Sequence, residues 1–106
     1  MVSKLIITTD AEQDLDSIYD YILNHFLSPQ AAENTMSNIK LGIKRILDIP
    51  EIGINVSERV GREFPAEQKL RMLIVGSYLV FYIIDAQTAV ILRVTHQKRD
   101  WISLFK

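Results

Sequence analysis

Apolar positions in the first half of the chain recur every three or four residues along two stretches, which predicts two amphipathic helices. The first follows a β-rich run, KLIITT, and a Thr9–Glu12 pair with capping-box spacing; its apolar stripe is Leu15, Ile18, Tyr19, Ile22, Leu23 and Phe26. Ser28 and Pro29 then predict a second helix start, and that helix carries Ala32, Met36, Ile39, Ile43, Ile46 and Leu47 until Ile49–Pro50. So short a connection predicts an αα-hairpin.

The last third of the chain reads as strands. The runs LRMLIV, YLVFYII and AVILRVTH are separated by Gly76-Ser77 and by DAQT, which predicts an antiparallel meander. Glycine in the first position of a two-residue connection is typical of a type II′ turn. With an even-length second loop, the expected cross-strand pairs are Val75 with Tyr78, Arg71 with Tyr82, Ile84 with Ala89, Val80 with Arg93, and Tyr78 with Thr95.

This register divides the strands into two faces, because side chains alternate along a strand. One face is wholly apolar: Leu70, Met72, Ile74, Leu79, Phe81, Ile83, Val90, Leu92 and Val94. The other is mixed: Arg71, Tyr78, Tyr82, Arg93 and Thr95 among Leu73, Val75, Val80 and Ile91. We expect the helices to cover the apolar face and the mixed face to stay partly open.

The segment from Glu51 to Gln68 contains Gly53, Gly61 and Pro65 and has no sustained period, which predicts a loop. The expected fold class is therefore α+β, a β-α-α-β-β-β chain with the helical hairpin packed on one face of an antiparallel sheet. The pattern leaves the position of the first strand in the sheet open.

Length and composition narrow the possible functions. The chain has 106 residues, which predicts a single domain over 1–106, and it has no cysteine, which excludes thiolate catalysis and thiolate metal sites. His25 and His96 lie far apart in sequence, so we expect no metal and no cofactor. The apolar runs are short and the N-terminus turns acidic, which predicts no membrane association and a cytoplasmic location.

Charge is distributed unevenly along the chain. Residues 1–67 carry six Lys or Arg against eleven Asp or Glu, a balance of −5, whereas residues 68–106 carry six against two, a balance of +4. The basic C-terminal part favours an acidic partner. The overall net charge of −1 and the pI near 6.1 argue against a general nucleic-acid binder.

Three stretches together resemble the RelE/ParE superfamily of bacterial toxins: RMLIVGSY, the tyrosine-rich YLVFYIID, and the ending RVTHQKRDW. The resemblance covers essentially the whole chain, since the helical hairpin, the middle loop and the C-terminal strands follow in that family's order. It implies the toxin of a type II toxin–antitoxin module, with growth inhibition and plasmid stabilisation as its effects. It further implies a hetero-oligomer with a cognate ParD- or RelB-like antitoxin that silences the toxin.

The superfamily has two main branches. RelE-like members cleave ribosome-bound mRNA without a metal, whereas ParE-like members act on DNA gyrase. Where RelE-like toxins have an arginine after the hairpin tyrosine, a second arginine after the last strand and a C-terminal tyrosine, this chain has Leu79, Gln97 and Ser103. HxxRDW instead looks like ParE-like toxins, which makes a gyrase inhibitor without catalytic activity the favoured hypothesis. The alternatives are the endoribonuclease and an inactive antitoxin-binding module.

The candidate target- or partner-binding residues are Arg71, Tyr78, Tyr82, Arg93, His96, Lys98 and Arg99. If the protein is a nuclease, His96 would supply an acid or base, and Arg71, Arg93 and Arg99 would stabilise the phosphorane. The structural alternatives are a strand-end histidine for His96 and a local ion pair between Arg99 and Asp100. Trp101 is expected to pack back on the core.

Overall fold

A five-stranded sheet carries two helices in the computed structural model, which describes residues 2–56 and 69–105. The elements in chain order are β1 (Lys4–Ile7), α1 (Thr9–Phe26), α2 (Pro29–Asp48), β2 (Ile54–Asn55), β3 (Arg71–Val75), β4 (Tyr78–Asp85), β5 (Thr88–His96) and a short 3₁₀ helix (Ile102–Phe105). The α+β class and the helical hairpin are confirmed. Within residues 2–56 and 69–105, neither α-helix combines the length and the hydropathy of a membrane span.

The two helices start at hydroxyl N-caps. Ser28 caps α2 by accepting a hydrogen bond from the Ala31 N–H (3.2 Å), with Pro29 at the first helical position, as predicted. In α1 the cap is Thr8 rather than Thr9: the Thr8 hydroxyl accepts from the Ala11 N–H (3.2 Å). Thr8 is held at this place because its backbone N–H also donates to a carbonyl of β5 (3.1 Å), so the helix begins one residue earlier.

Leu27 ends α1 in the left-handed conformation, with φ 50° and ψ 36°, and 83% of it is exposed. An exposed leucine side chain contributes little packing to offset the cost of this conformation, whereas glycine adopts it without a Cβ penalty. Leu27→Gly is therefore expected to raise the free energy of unfolding by about 1 kcal/mol in urea titrations. Asn24→Gly, inside the last turns of the same helix, is the matched control and should lower it by about as much. A loss of stability in Leu27→Gly would contradict the strain argument.

The strand order is β1-β5-β4-β3-β2, which settles the place of the first strand. β1 lies at one edge, parallel to β5, with Ile7 opposite Ile91. β2 forms the other edge, antiparallel to β3, inside the segment predicted as a loop. With two residues, β2 is too short to show the alternation of side chains that predicts a strand. Residues 57–68 of the predicted loop lie outside the described residues.

The register of the hairpins is confirmed near both turns and wrong at the far end of β5. Gly76 has φ +59° in the β3–β4 turn, and the pairs Val75–Tyr78, Arg71–Tyr82 and Ile84–Ala89 form as expected. Between Phe81 and Tyr82 the pairing with β5 shifts by one residue, so that Phe81 faces Arg93, Val80 faces Val94, and Tyr78 faces His96.

A β-bulge at Leu92 causes this shift, since Ile91 and Arg93 pair with consecutive residues of β4. β1 stops at this point, and the Thr8 hydroxyl lies within hydrogen-bond distance of the carbonyls of Ile91 (2.9 Å) and Leu92 (3.1 Å). The residue that caps α1 is thus also hydrogen-bonded to the backbone of β5 at the bulge. The alternation of polar and apolar residues along β5 does not indicate this bulge.

The two predicted faces form as far as the bulge, but their roles are reversed, and beyond the bulge Val94, predicted on the apolar face, lies on the other one. The mixed face takes the helices: Leu73, Val80, Tyr82, Ala89, Ile91 and Val94 pack with Ala11, Ile39, Ile43 and Ile46. The apolar face forms a second cluster with other partners: Val56, Leu70, Met72, Leu79 and Phe81, flanked by Ile54, Ile83, Leu92 and Trp101. The prediction of an open mixed face is therefore wrong, because Arg71, Tyr82 and Arg93 find hydrogen-bond partners outside the sheet. Trp101 does pack on the core, with its ring 5.3 Å from that of Phe81.

Candidate partner-binding site at the end of the sheet

The structure separates six of the seven predicted site residues into two groups. Arg71, Tyr82 and Arg93 hold parts of the fold together through hydrogen bonds. Tyr78, His96 and Arg99 line a groove between α1, α2 and the ends of β4 and β5. Lys98 is exposed in the turn next to Arg99 and does not line the groove.

Tyr82 and Arg71 fasten the chain that follows α2. The Tyr82 ring is wholly buried, and its hydroxyl accepts from the Gly53 N–H and donates to the Pro50 carbonyl, both at 2.8 Å. The Arg71 guanidinium donates to the carbonyls of Gly53 (2.7 Å) and Glu51 (3.3 Å). Burial raises the pKa of Tyr82, although the Gly53 N–H and Arg71 partly oppose the rise.

Arg93 is paired with Asp14 of α1. Its guanidinium donates two hydrogen bonds to the carboxylate, at 2.7 and 2.9 Å, and the Val94 N–H donates a third at 2.9 Å. The hydrogen bond to Asp14 raises the pKa of Arg93 above its usual value. Beyond the end of β1, the Asp14 carboxylate therefore serves as a hydrogen-bond acceptor for the backbone of β5.

Sequence reasoning missed Asp14, although a signal was present. Asp14 precedes Ile18 and Ile22 by four and eight residues, which puts it on the apolar side of α1 rather than on the acidic outer side. A carboxylate on a buried stripe requires a cation or backbone donors nearby. Arg93 and Val94 supply both.

The groove has a volume of about 830 Å³ and combines an apolar wall with polar groups at one end. Its lining consists of Asp14, Ser17, Ile18, Tyr21, Ile22, Phe26, Ala31, Thr35, Ser77, Tyr78, Val94, Thr95, His96 and Arg99. Tyr21 and Phe26 are 53% and 66% exposed, so large aromatic surfaces flank its mouth. Such a shape suits a ligand or peptide with apolar and polar parts.

Backbone hydrogen bonds fix the polar end of the groove. The Gln97 N–H donates to the Ser77 carbonyl (2.9 Å), and the Arg99 N–H donates to the His96 carbonyl (3.1 Å). The His96 Nδ1 accepts from the Lys98 N–H (3.1 Å), so in the neutral ring Nε2 carries the proton. The His96 ring also meets the Tyr78 ring edge to face, with centroids 5.3 Å apart.

Tyr78 remains a hydrogen-bond donor at neutral pH. Burial raises the pKa of its hydroxyl, and electrostatic repulsion from Tyr21 adds to the rise. The ion pair of Arg99 with Asp100, the structural alternative to a binding role, does not form: in the part of the chain that the structure describes, the one salt bridge joins Arg93 and Asp14. The Asp100 carbonyl instead accepts from the Ser103 hydroxyl (2.9 Å).

The residues proposed for a nuclease are used in different ways. Arg71 binds backbone carbonyls, Arg93 binds Asp14, and only His96 and Arg99 share the groove. Within residues 2–56 and 69–105, no cluster of three or more His, Cys, Asp or Glu side chains could hold a metal ion. Of the four nuclease candidates, the structure therefore brings only His96 and Arg99 together.

Thr95 is 3% exposed, and its hydroxyl has no hydrogen-bond partner among the described residues. A buried hydroxyl without a partner costs free energy, so the isosteric change Thr95→Val is expected to raise the free energy of unfolding by about 1 kcal/mol. Chemical denaturation checks this. Thr8→Val is the control that removes a bonded hydroxyl, and it should destabilise the fold.

Comparison with known proteins gives a family and a fold. A family model described as the ParE toxin of the parDE type II toxin–antitoxin system matches residues 5–101. The chain is similar to a solved structure from P. aeruginosa, titled as a chromosomal ParDE toxin–antitoxin system, with a TM-score of 0.71 and 22% identity. That similarity covers 90% of this chain and 96% of the other and concerns the fold. No curated protein sequence matches significantly.

Proposed function

Since the chain belongs to the ParE toxin family of type II toxin–antitoxin systems, we propose that it stops growth by binding and inhibiting DNA gyrase in the cytoplasm. A cognate antitoxin, encoded beside it, binds the toxin and neutralises it. The action is inhibitory binding, with no bond made or broken by the toxin.

The placement of the arginines is the observation that carries the choice of gyrase over mRNA. Cleavage of RNA without a metal needs fixed cations around the phosphorane as well as an acid and a base. Arg71 and Arg93 are already occupied by backbone carbonyls and by Asp14. A chain with net charge −1 also lacks the general positive field that favours binding to RNA phosphates.

His96, Lys98, Arg99 and Tyr78 remain as candidate contacts with a partner. Tyr78 begins β4 directly after the β3–β4 turn, and the other three lie at or just after the end of β5. The turn and the segment after β5 lie next to each other because the Gln97 N–H donates to the Ser77 carbonyl. Lys98 and Arg99 are exposed and without an ion pair in the described structure, so they are available to an acidic surface.

Two assays on one preparation of purified toxin test the mechanism. We expect inhibition of supercoiling by purified gyrase and no cleavage of ribosome-bound mRNA, and in cells induction of the DNA-damage response. His96→Ala should reduce inhibition only as far as it weakens gyrase binding, measured on the same samples.

Several outcomes would count against this proposal. Ribosome-dependent cleavage that His96→Ala abolishes in a folded protein, with gyrase unaffected, would establish the nuclease instead. Inactivity in both assays, together with binding to the neighbouring gene product, would indicate an inactive antitoxin-binding module. A solitary gene without any growth defect on expression would contradict the toxin–antitoxin assignment.

A further inference from the structure

The groove between the helical hairpin and the end of the sheet has an apolar wall facing hydrogen-bond donors. Ile18, Ile22 and Phe26 of α1 form the wall, while Tyr78, His96 and Arg99 lie at the sheet end. Phe26 is 66% exposed, although it lies in an amphipathic helix that buries other apolar side chains such as Ile22. Exposed aromatic surface at the mouth of a concave site is typical of an interaction site.

The polar groups at the sheet end are mainly donors. Arg99 is a permanent cation, Tyr78 offers its hydroxyl proton, and the His96 ring offers Nε2–H because Nδ1 already accepts from Lys98. Asp14 also lines the groove, but its carboxylate already accepts hydrogen bonds from Arg93 and from the Val94 N–H. The site therefore suits an anion.

We propose that this groove binds an acidic side chain together with a neighbouring large apolar side chain of the antitoxin. The carboxylate lies against Arg99, Tyr78 and His96, and the apolar side chain lies against Ile18, Ile22 and Phe26. A volume of about 830 Å³ is sufficient for two such side chains. The identity of the partner rests on the proposed function; the chemistry of the groove does not.

Charge complementarity supports a carboxylate as the polar group. The residues from 68 to the end carry a balance of +4, and Arg99 places one of those charges in the lining of the groove. A guanidinium, a phenol hydroxyl and an imidazole N–H match the several acceptor positions of a carboxylate, and a charged acceptor makes these hydrogen bonds stronger. An apolar peptide without an acid would leave these donors without partners.

The first experiment uses the toxin alone, with 4-phenylbutyrate as the probe and 4-phenylbutyramide as its neutral control. Chemical shifts of Tyr78, His96 and the Ile18 methyl groups should move with the acid and move little with the amide. Arg99→Gln is expected to weaken binding of the acid about fivefold. Lys98→Gln, its neighbour outside the groove, should change it less than twofold. Equal binding of acid and amide, or equal effects of both variants, would overturn the carboxylate site.

The second experiment measures affinity for the antitoxin. Phe26→Ser and Arg99→Gln should each lower it at least fivefold, whereas Leu41→Ser should not, since Leu41 is similarly exposed (59%) but lies outside this groove. Replacing one acidic antitoxin residue by its amide should abolish the effect of Arg99→Gln. If Phe26→Ser and Arg99→Gln both bind the antitoxin as tightly as the parent, the antitoxin does not occupy this groove. The toxin–antitoxin assignment would be unaffected by that result. Failure to bind any neighbouring product would refute the assignment, and the probe experiment would still decide the chemistry of the groove.

Discussion

Tyr82→Phe is expected to lower the free energy of unfolding by about 2–3 kcal/mol, a large effect for the loss of one oxygen atom. The hydroxyl is the partner of both the Gly53 N–H and the Pro50 carbonyl, and the variant leaves these two groups without it. The site allows little relaxation, because a Cβ added at Gly53 would lie 2.7 Å from the Tyr82 hydroxyl. Backbone and ring are already in close contact.

Urea titration with tryptophan fluorescence gives the measurement. Tyr21→Phe is the matched control, since Tyr21 is 53% exposed and loses a hydroxyl to solvent; its effect should stay within about 0.5 kcal/mol. A Tyr82→Phe protein as stable as the parent would show that the two hydrogen bonds contribute nothing net to stability.

The same tyrosine gives the fold an alkaline limit. Because burial raises the pKa of Tyr82, the folded state keeps its proton at pH values where the unfolded chain loses it. The associated stability is fully present below about pH 10, the usual value for tyrosine, and is lost as pH rises through the folded pKa. Stability measured from pH 9 upwards should fall less steeply in Tyr82→Phe than in the parent.

Much of the fold was predictable because it depends on local patterns. The helical stripes, Ser28 with Pro29, and the Gly76-Ser77 turn each involve residues close in sequence. They are confirmed, except that Phe26 at the end of the α1 stripe is exposed. The first strand could not be placed, because its register with β5 depends on contacts more than eighty residues away. The bulge at Leu92 likewise depends on Thr8, which is distant in sequence.

The reversed faces show where pattern reasoning fails. A strand face that carries Arg71, Tyr82 and Arg93 looks unsuited to a core, yet these groups are satisfied by the loop after α2 and by Asp14. Polar side chains on a strand predict an exposed face only when no other part of the fold supplies hydrogen-bond partners for them. The binding role predicted for Tyr78, His96, Lys98 and Arg99 stays a prediction, although three of them do line one groove.

Asp14→Ala is the second substitution with a large expected effect, a loss of about 2–3 kcal/mol of unfolding free energy. It removes the acceptor of the Val94 N–H as well as the partner of Arg93, whose side chain is 25% exposed and can regain water only in part. Arg93→Met should cost only about 1 kcal/mol, since Asp14 keeps its hydrogen bond from Val94.

A double-mutant cycle with Asp14→Ala and Arg93→Met should therefore give a coupling of about 1 kcal/mol, smaller than the effect of Asp14→Ala alone. The difference measures the backbone hydrogen bond, which survives in Arg93→Met and is lost in Asp14→Ala. Amide exchange provides a direct check: the Val94 N–H should lose protection in Asp14→Ala and retain it in Arg93→Met. If the Val94 N–H loses protection equally in both variants, Arg93 is needed to position the Asp14 carboxylate. The hydrogen bond from Val94 would then not persist without the ion pair.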